Sequence, residues 1–368
     1  MVPKSITVEH NGIYMELNLK DLVSEGMSIY ELLSFVDISD IEKHIEDKLY
    51  QRLPRYPVKA MLRFAVAYYF YGQKGYGYEW VVNNISEREA KMIGFDKKIP
   101  SKSLLNDFIL HRIGYENIEY IVYEIAKRLN RLAESRGINY LNHDSTPIEA
   151  SRYDNKAEYN LHYKTKMYKA HITMKGTIPL IMTFSNGNEN DSPFLENHLY
   201  KLKELSITGE FMNCDAAYDS YKNHALIKHV LGCKPNIDIR ENAVIQKEGS
   251  EREIKRWCQK LWKKGGYKAK NIEGRLEFLF NNGRIEQVGM YYRNKNIVEG
   301  MNDEEYKLRS KQEFVHSHIK RTVKFDVRRR HHKYKKLHIL WSFLSYQIML
   351  LCSLQNGLKP NEFGFIKY

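Results

Sequence analysis

The sequence predicts an α/β fold: a mixed five-stranded sheet with flanking helices, preceded by a helical region and interrupted by an insertion. Three observations point there. The first third of the chain spaces its apolar residues as helices do, between short turns. After Gly137 the pattern changes to short apolar runs that end in polar turns, in the succession β-β-β-α-β-α-β. Residues 241–300 fit neither pattern and separate that succession from an apolar C-terminal helix.

Residues 5–17, SITVEHNGIYMEL, alternate around Asn11-Gly12, which predicts a β-hairpin. Ser28-x-x-Glu31 is a capping box that opens a helix through Leu32, Leu33 and Phe35. Residues 40–52 have helical spacing, and Pro54 and Pro57 break the chain before an apolar helix at 58–71. A turn at 72–78 leads to a helix at 78–92, with Ser86-x-x-Glu89 as an internal restart. A loop with Pro100 precedes a helix capped by Ser101 or Ser103, and a long helix spans 116–136. Two readings of this region stay open: a helix-turn-helix that contacts DNA, or a bundle that packs on the core or makes a dimer contact.

INYLNHD reads as the first strand and delivers Asp144 at its end. MYKAHITMK and PLIMTFSNG follow as strands two and three of an antiparallel meander. Asp191-Ser192-Pro193 opens a helix to about Leu205, and GEFMNCD is a fourth, buried strand ending on Asp215. A helix at 221–231 and the strand CKPNIDI complete the succession. Residues 241–300 are basic, with Trp257 and Trp262, and LEFLFNNGRIEQVGMYYR reads as a β-hairpin around Asn282-Gly283. A helix begins near Glu304, a basic run holds nine Lys or Arg against one Asp over 320–336, and an apolar helix covers 337–354. The expected divisions are 1–136, 137–240, 241–300 and 301–368.

The 368 residues carry a net charge of +13, which points to nucleic acid or an acidic surface as partner. Four cysteines without a C-x-x-C pair fit a reducing cytoplasm and argue against a disulfide framework or a zinc site. The start, MVPKSITVEHNG, does not read as a signal peptide. The apolar stretches 58–71 and 337–354 are interrupted by polar residues and read as buried helices, so no membrane is expected as partner.

The stretch YKLRSKQEFVHSHIK, 306–320, concentrates the chemistry. On one helix, Tyr306, Arg309, Glu313 and Lys320 would fall within an arc of about 60°. A carboxylate flanked by a phenol and two cations suits a metal ion beside a phosphate. The pattern Y-x2-R-x3-E-x6-K is similar to the signature of a large group of DDE transposases from bacterial insertion sequences. In that family the Glu is the last of three carboxylates on an RNase H-like catalytic core, and Asp144 and Asp215 match the other two. The resemblance runs from about Tyr140 to the C-terminus, and more loosely over the N-terminal region.

That resemblance implies a set of expectations. Asp144, Asp215 and Glu313 would be the catalytic and metal-binding residues, holding two Mg²⁺ or Mn²⁺ ions. Tyr306, Arg309 and Lys320 would handle the DNA end near the cleavage point. The N-terminal region would bind DNA ends, and 241–300 would be the insertion between the second and third carboxylates. The partners would be double-stranded DNA, both element ends and target, and a second copy of the chain in the DNA complex. The location would be a prokaryotic cytoplasm, at the nucleoid. The residue types agree: oxygen ligands suit these ions, and two such ions can activate a water and stabilise a leaving oxygen. Clustered carboxylates without a cation would repel one another. The triple Arg328, Arg329 and Arg330 reads as a DNA-backbone contact. His143, His316 and His318 lie near the carboxylates in sequence but match Mg²⁺ poorly. Two other readings remain: a transposase-derived DNA-binding regulator without catalysis, and an RNase H-like nuclease that cuts without joining.

Overall fold

A computed structural model of the chain describes residues 5–10, 13–96, 98–262, 270–300, 303–326 and 332–367. The chain divides into two compact units. The first comprises Met1–Leu132, Pro147–Tyr168 and Phe314–Tyr368, and the second Ala133–Thr146 and Lys169–Glu313.

In the first unit the predicted hairpin is present as β1 (Ser5–His10) and β2 (Ile13–Asn18), paired antiparallel from Ser5↔Asn18 to His10↔Ile13. Its Asn11-Gly12 turn lies outside the described residues. Helices follow: α1 (Leu19–Glu25), α2 (Ile29–Ser34), α3 (Ser39–Leu49), α4 (Val58–Gly72), α5 (Tyr78–Asn83), α6 (Glu87–Ile93), α7 (Lys102–Asp107) and α8 (Tyr115–Glu134). Ser28/Glu31 and Ser86/Glu89 both close as full capping boxes. The second box splits the helix predicted at 78–92 into α5 and α6, because Ser86 is extended and its side chain caps a new start. Ser101, not Ser103, caps α7.

Every residue of α4 except Lys59 is buried. Its partner is α16 (His332–Gln355), whose stretch Tyr334–Gln355 is long and apolar enough to cross a bilayer yet has its apolar part, 337–354, buried inside the protein. Tyr69 of α4 stacks on Trp341 at 5.9 Å and meets His338 Nδ1 through its hydroxyl at 2.8 Å. The Trp341 indole N–H donates to the Ile109 carbonyl at 3.1 Å. Polar edges of these large rings are therefore satisfied inside an apolar core, as burial of Tyr and Trp requires.

The strands are β3 (Tyr140–Glu149), β4 (Glu158–Asn160), β5 (Thr165–Lys175), β6 (Ile178–Asn186), β7 (Phe211–Cys214) and β8 (Lys234–Ile237). The sheet order is β4-β5-β3-β7-β8, with β6 on β5. β7 runs parallel to both β3 and β8, and β4 runs antiparallel to β5. Gly176-Thr177 turns β5 into β6, with Gly176 at φ +60°. Parallel neighbours need crossover connections. Helices α9 (Ser192–Glu204) and α10 (Tyr221–Leu231) supply them, α9 before β7 and α10 between β7 and β8.

Residues 241–300 differ from the reading of the sequence. They contain helices α11 (Glu251–Trp262), α12 (Ile272–Asn281) and α13 (Ile285–Glu299), and the segment read as a β-hairpin is α12, a turn and α13. Asn282-Gly283 does form a turn, but as a helix end. Gly283 has φ +73°, its N–H donates to Phe280 O at 3.0 Å, and the Arg284 N–H donates to Leu279 O at 2.9 Å. That pair of bonds is a Schellman motif, which favours the same left-handed glycine as a hairpin turn. The flanks bury Leu276, Leu279 and Val288 with Ala225 and Ile254, and Trp257 packs against this cluster. Gly289 of α13 sits so close to α10 that a Cβ there would lie 1.7 Å from the Tyr221 carbonyl oxygen. One turn on, Arg293 grips Asp219 through two bonds of 2.7 and 2.8 Å. Burial would raise the Asp219 pKa, but His224 and Arg293 hold it well below the usual carboxylate range.

Candidate active site

The site grows from the register of three parallel strands. Asn142, Asn213 and Asn236 are paired across β3, β7 and β8, and so are His143, Cys214 and Ile237. The next residue along each chain is an aspartate: Asp144, Asp215 and Asp238. Residues two apart on a strand share a face. The tripeptide N-x-D therefore occurs on three adjacent strands and makes two tiers, a buried amide tier and an acid tier beyond it.

In the acid tier, one guanidinium nitrogen of Arg309 lies 3.3 Å from Asp215 Oδ2 and 3.9 Å from Asp144 Oδ2. Asp144 accepts the Ser145 N–H at 2.8 Å, and Asp215 accepts the Ala217 N–H at 3.3 Å. Burial pushes the Asp144 carboxyl up to about 7. Asp215 and Asp191 add to the rise, against the Ser145 N–H and Arg309. Asp191 is itself tied to the Lys169 ammonium at 2.6 Å and to the Ser145 hydroxyl at 3.0 Å. The third aspartate, Asp238, accepts the Tyr306 hydroxyl at 3.2 Å, and the Arg309 guanidinium lies over the Tyr306 ring at 5.3 Å. Burial, helped by Asp238, pushes the Tyr306 phenol up to about 12, so it stays a neutral donor.

In the amide tier, Asn236 Nδ2 donates to Asn213 Oδ1 at 2.5 Å, and Asn213 Nδ2 donates to Asn142 Oδ1 at 2.9 Å. Asn213 also donates to the Glu305 carbonyl at 3.0 Å. Asn142 donates to Gly176 O at 3.2 Å and, more weakly, to the Leu308 carbonyl at 3.5 Å. All three amides are buried.

The structure thus brings Asp144, Asp215, Arg309 and Tyr306 together. Glu313 is not among them. It is exposed on α15 (Lys311–Thr322) and has no hydrogen-bond or ion-pair partner among the described residues. The expected single helical stripe is broken into α14 (Asp303–Lys307), a 3-10 turn at Leu308–Ser310 and α15. The tighter turn changes the angular step, so Tyr306 and Arg309 do not continue the face that Glu313 and Lys320 share on α15. Lys320 belongs to the first unit, where its ammonium donates to Pro147 O at 2.7 Å. There it lines a cavity of about 1140 Å³ with Glu149, Tyr153, Tyr163 and Lys335. Arg328, Arg329 and Arg330 lie outside the described residues.

The histidines are structural. His143 Nδ1 meets the Thr173 hydroxyl at 2.8 Å, and His318 Nδ1 meets the Tyr346 hydroxyl at 2.9 Å. Burial pushes His316 down to about 3, so it is neutral. A hard divalent cation fits Asp144 and Asp215: both offer oxygen, and a cation beside them would return the raised Asp144 carboxyl to its ionised form. A three-carboxylate cage is not assembled; among the described residues no three His, Cys, Asp or Glu gather closely enough to hold a metal ion. Asp238 and the three asparagines escaped the reading of the sequence, although the signal was present as NHD, NCD and NID in three of the runs read as strands.

No protein-family model matches the sequence, and no curated protein matches it. Among solved structures, a piggyBac transposase synaptic complex with hairpin DNA is 11% identical. The match covers 87% of this chain and 80% of that one, with a TM-score of 0.28. A Mos1 transposase paired-end complex with the left transposon end is 9% identical over 71% of this chain and 80% of that one, with a TM-score of 0.19. A Mos1 mariner paired-end complex with Mn is 12% identical over 74% and 81%, with a TM-score of 0.19. Similarity at this level decides neither fold nor activity.

Proposed function

We propose that the chain is a DDE transposase of an insertion sequence, built on an RNase H-like core. It would bind terminal inverted repeats, cleave at the element ends and transfer 3′-hydroxyls to target DNA. One observation carries the reading: Asp144, within β3, and Asp215, just past the end of β7, follow paired residues of two parallel strands in the middle of a β6-β5-β3-β7-β8 sheet, beside one arginine. Paired acids beside a cation are able to hold a divalent ion and a phosphate oxygen together, which supports the reading. Glu313 enters as the third carboxylate on its signature and not on its position.

Asp144 and Asp215 would hold Mg²⁺ or Mn²⁺, which supplies Lewis-acid activation of water and of the leaving oxygen. Arg309 neutralises the acid pair and is placed to hold a phosphate oxygen beside it. Tyr306, neutral and oriented by Asp238, offers a ring edge and a hydroxyl to a nucleotide. Lys320 supplies a cation for a neighbouring phosphate. In this reading residues 1–136 bind the element ends, 241–300 are an insertion, two copies of the chain act in the DNA complex, and the work is done at a prokaryotic nucleoid.

The test uses the purified chain with labelled duplexes spanning each flank of its gene, in Mg²⁺ or Mn²⁺, beside an unlabelled target plasmid. Strand cleavage at one boundary in each flank, followed by joining to the plasmid, is the expected result, absent in EDTA and in Asp215→Asn. Binding without cleavage makes the chain a regulator, and cleavage without joining makes it a nuclease; either overturns the proposal.

A further inference from the structure

We infer that the asparagine ladder of β3, β7 and β8 is a positioning device: it clasps the main chain at Glu305 and Leu308 and so holds Arg309 over Asp144 and Asp215. The inference deepens the proposed function only in giving Arg309 a role; its geometry stands without it.

Three buried amides in register across a sheet core are costly where valine or isoleucine would serve, unless each donor finds a partner. Here the donors do. Asn213 spends one N–H on its neighbour Asn142 and the other on Glu305 O, and Asn142 divides its donors between Gly176 O and Leu308 O. Asn236 completes the row by donating to Asn213 Oδ1, which fixes the orientation of that amide. Each of the two inner amides therefore has one donor along the sheet or its turn and one toward the 305–308 segment.

The two carbonyls it takes lie where α14 gives way to the 3-10 turn. Carbonyls near a helix end lack regular partners along the helix and accept side-chain donors instead. Glu305 and Leu308 bracket Tyr306, and Arg309 follows directly. The amide tier lies two residues before the acid tier on each strand, so one spacing sets both the clasp and the groups that Arg309 and Tyr306 meet.

The asparagines touch neither the acids nor any bound group, so they are positioning residues. The experiment is ¹⁵N NMR of arginine side chains in the full chain, without DNA and in EDTA. It measures rotation of the Arg309 guanidinium about its Cζ–Nε bond, with Arg309→Lys to assign the signal. In the wild type rotation should be at least about tenfold slower than for exposed arginines, because one end is held on two carboxylates. Asn213→Leu, close in size and without donors, should bring Arg309 to the exposed rate while the melting temperature confirms a folded chain. Asn142→Leu is read in the same way should Asn213→Leu not fold. The variant Asp238→Asn keeps the ladder and should leave Arg309 slow. Slow rotation in both folded ladder variants, or free rotation in the wild type, overturns the inference. A second readout uses single-turnover DNA cleavage: Arg309→Ala and Asn213→Leu should each slow it, and the double variant should be no slower than Arg309→Ala alone. Additive losses would mean that the ladder acts elsewhere. A chain that cuts no DNA but shows the NMR pattern retains this inference and loses the proposed function.

Discussion

Asp144→Asn should stabilise the metal-free protein at neutral and alkaline pH and do little in acid. Burial pushes the Asp144 carboxyl up to about 7 from an ordinary value of 3.8. Because the folded pKa lies above the unfolded one, the folded state favours the protonated form. Its contribution is intact below about pH 4 and is lost as pH rises toward 7; above that the penalty is constant. A rise of about three units corresponds to about 4 kcal/mol at 1.36 kcal/mol per unit, an upper figure for a side chain that is mostly but not wholly buried. Asparagine keeps the shape and carries no charge, so the penalty disappears with it. In EDTA, thermal or urea unfolding from pH 4 to pH 8.5 should show the variant more stable by about 2–4 kcal/mol at pH 8. The gap should close to less than about 1 kcal/mol at pH 4. Millimolar Mg²⁺ at pH 8 should narrow it, since only the wild type keeps both carboxylates for the ion. A gap that is flat across pH, or widest in acid, would refute the assignment of a strained carboxylate at this position.

Three further outcomes follow from particular residues. Asp215→Asn and Glu313→Gln should each abolish cleavage of bound DNA and leave binding largely intact, because phosphate contacts dominate affinity. Near-normal cutting by Glu313→Gln would remove that residue from the site. Lys320→Ala should slow single-turnover cleavage by on the order of 10- to 1000-fold with little change in the salt dependence of binding. Replacing Arg328, Arg329 and Arg330 with Ala should instead weaken binding and flatten its salt slope by about two to three units. Salt titrations beside cleavage rates separate the two, and a Lys320→Ala variant that loses only affinity counts against a role in the reaction. Gly289→Ala should cost about 3 kcal/mol or more by urea unfolding, since its Cβ would meet the Tyr221 carbonyl at 1.7 Å and both elements are helices with little room to part. A cost below about 1 kcal/mol would show that α13 does not approach α10 so closely.

Much of the second unit was legible because its signals are local. The runs at 167–175, 179–187 and 209–215 match β5, β6 and β7 with small shifts of boundary, and the helix read at 221–231 is α10; the run at 138–144 covers only the first half of β3, which continues past Asp144 to Glu149. Capping boxes are local too, and both close as read. The failures have a common cause in signals that serve two structures. Asn282-Gly283 suits a left-handed turn in a hairpin and in a helix C-terminus alike, and the packing of Leu276, Leu279 and Val288 decides between them. The stripe 306–320 has one helical spacing in sequence, yet a 3-10 turn at Leu308–Ser310 divides it, next to carbonyls that accept from Asn213 and Asn142, far away along the chain. A spacing rule assumes regular geometry and cannot anticipate a donor from another strand. The N-x-D tripeptides could have been noticed, but only register across β3, β7 and β8 gives them a shared meaning.

The same register explains why the two aspartates differ although their sequence settings are alike. Asp144 lies within β3, with chain continuing on both sides, whereas Asp215 follows the last residue of β7 and opens a 3-10 turn. The first is therefore desolvated and the second faces solvent more, at 18% and 43% side-chain exposure. Arg309 lies nearer the exposed partner, so its charge is matched mainly by Asp215, and Asp144 is left to take up a proton near neutral pH. The register thus leaves Asp144 as the second charge of the pair, one conditional on pH. A divalent cation bound between them would make the second charge permanent and release about one proton, so binding of Mg²⁺ should weaken as pH falls below about 7. This dependence comes from burial of one strand residue beside the exposed end of its neighbour.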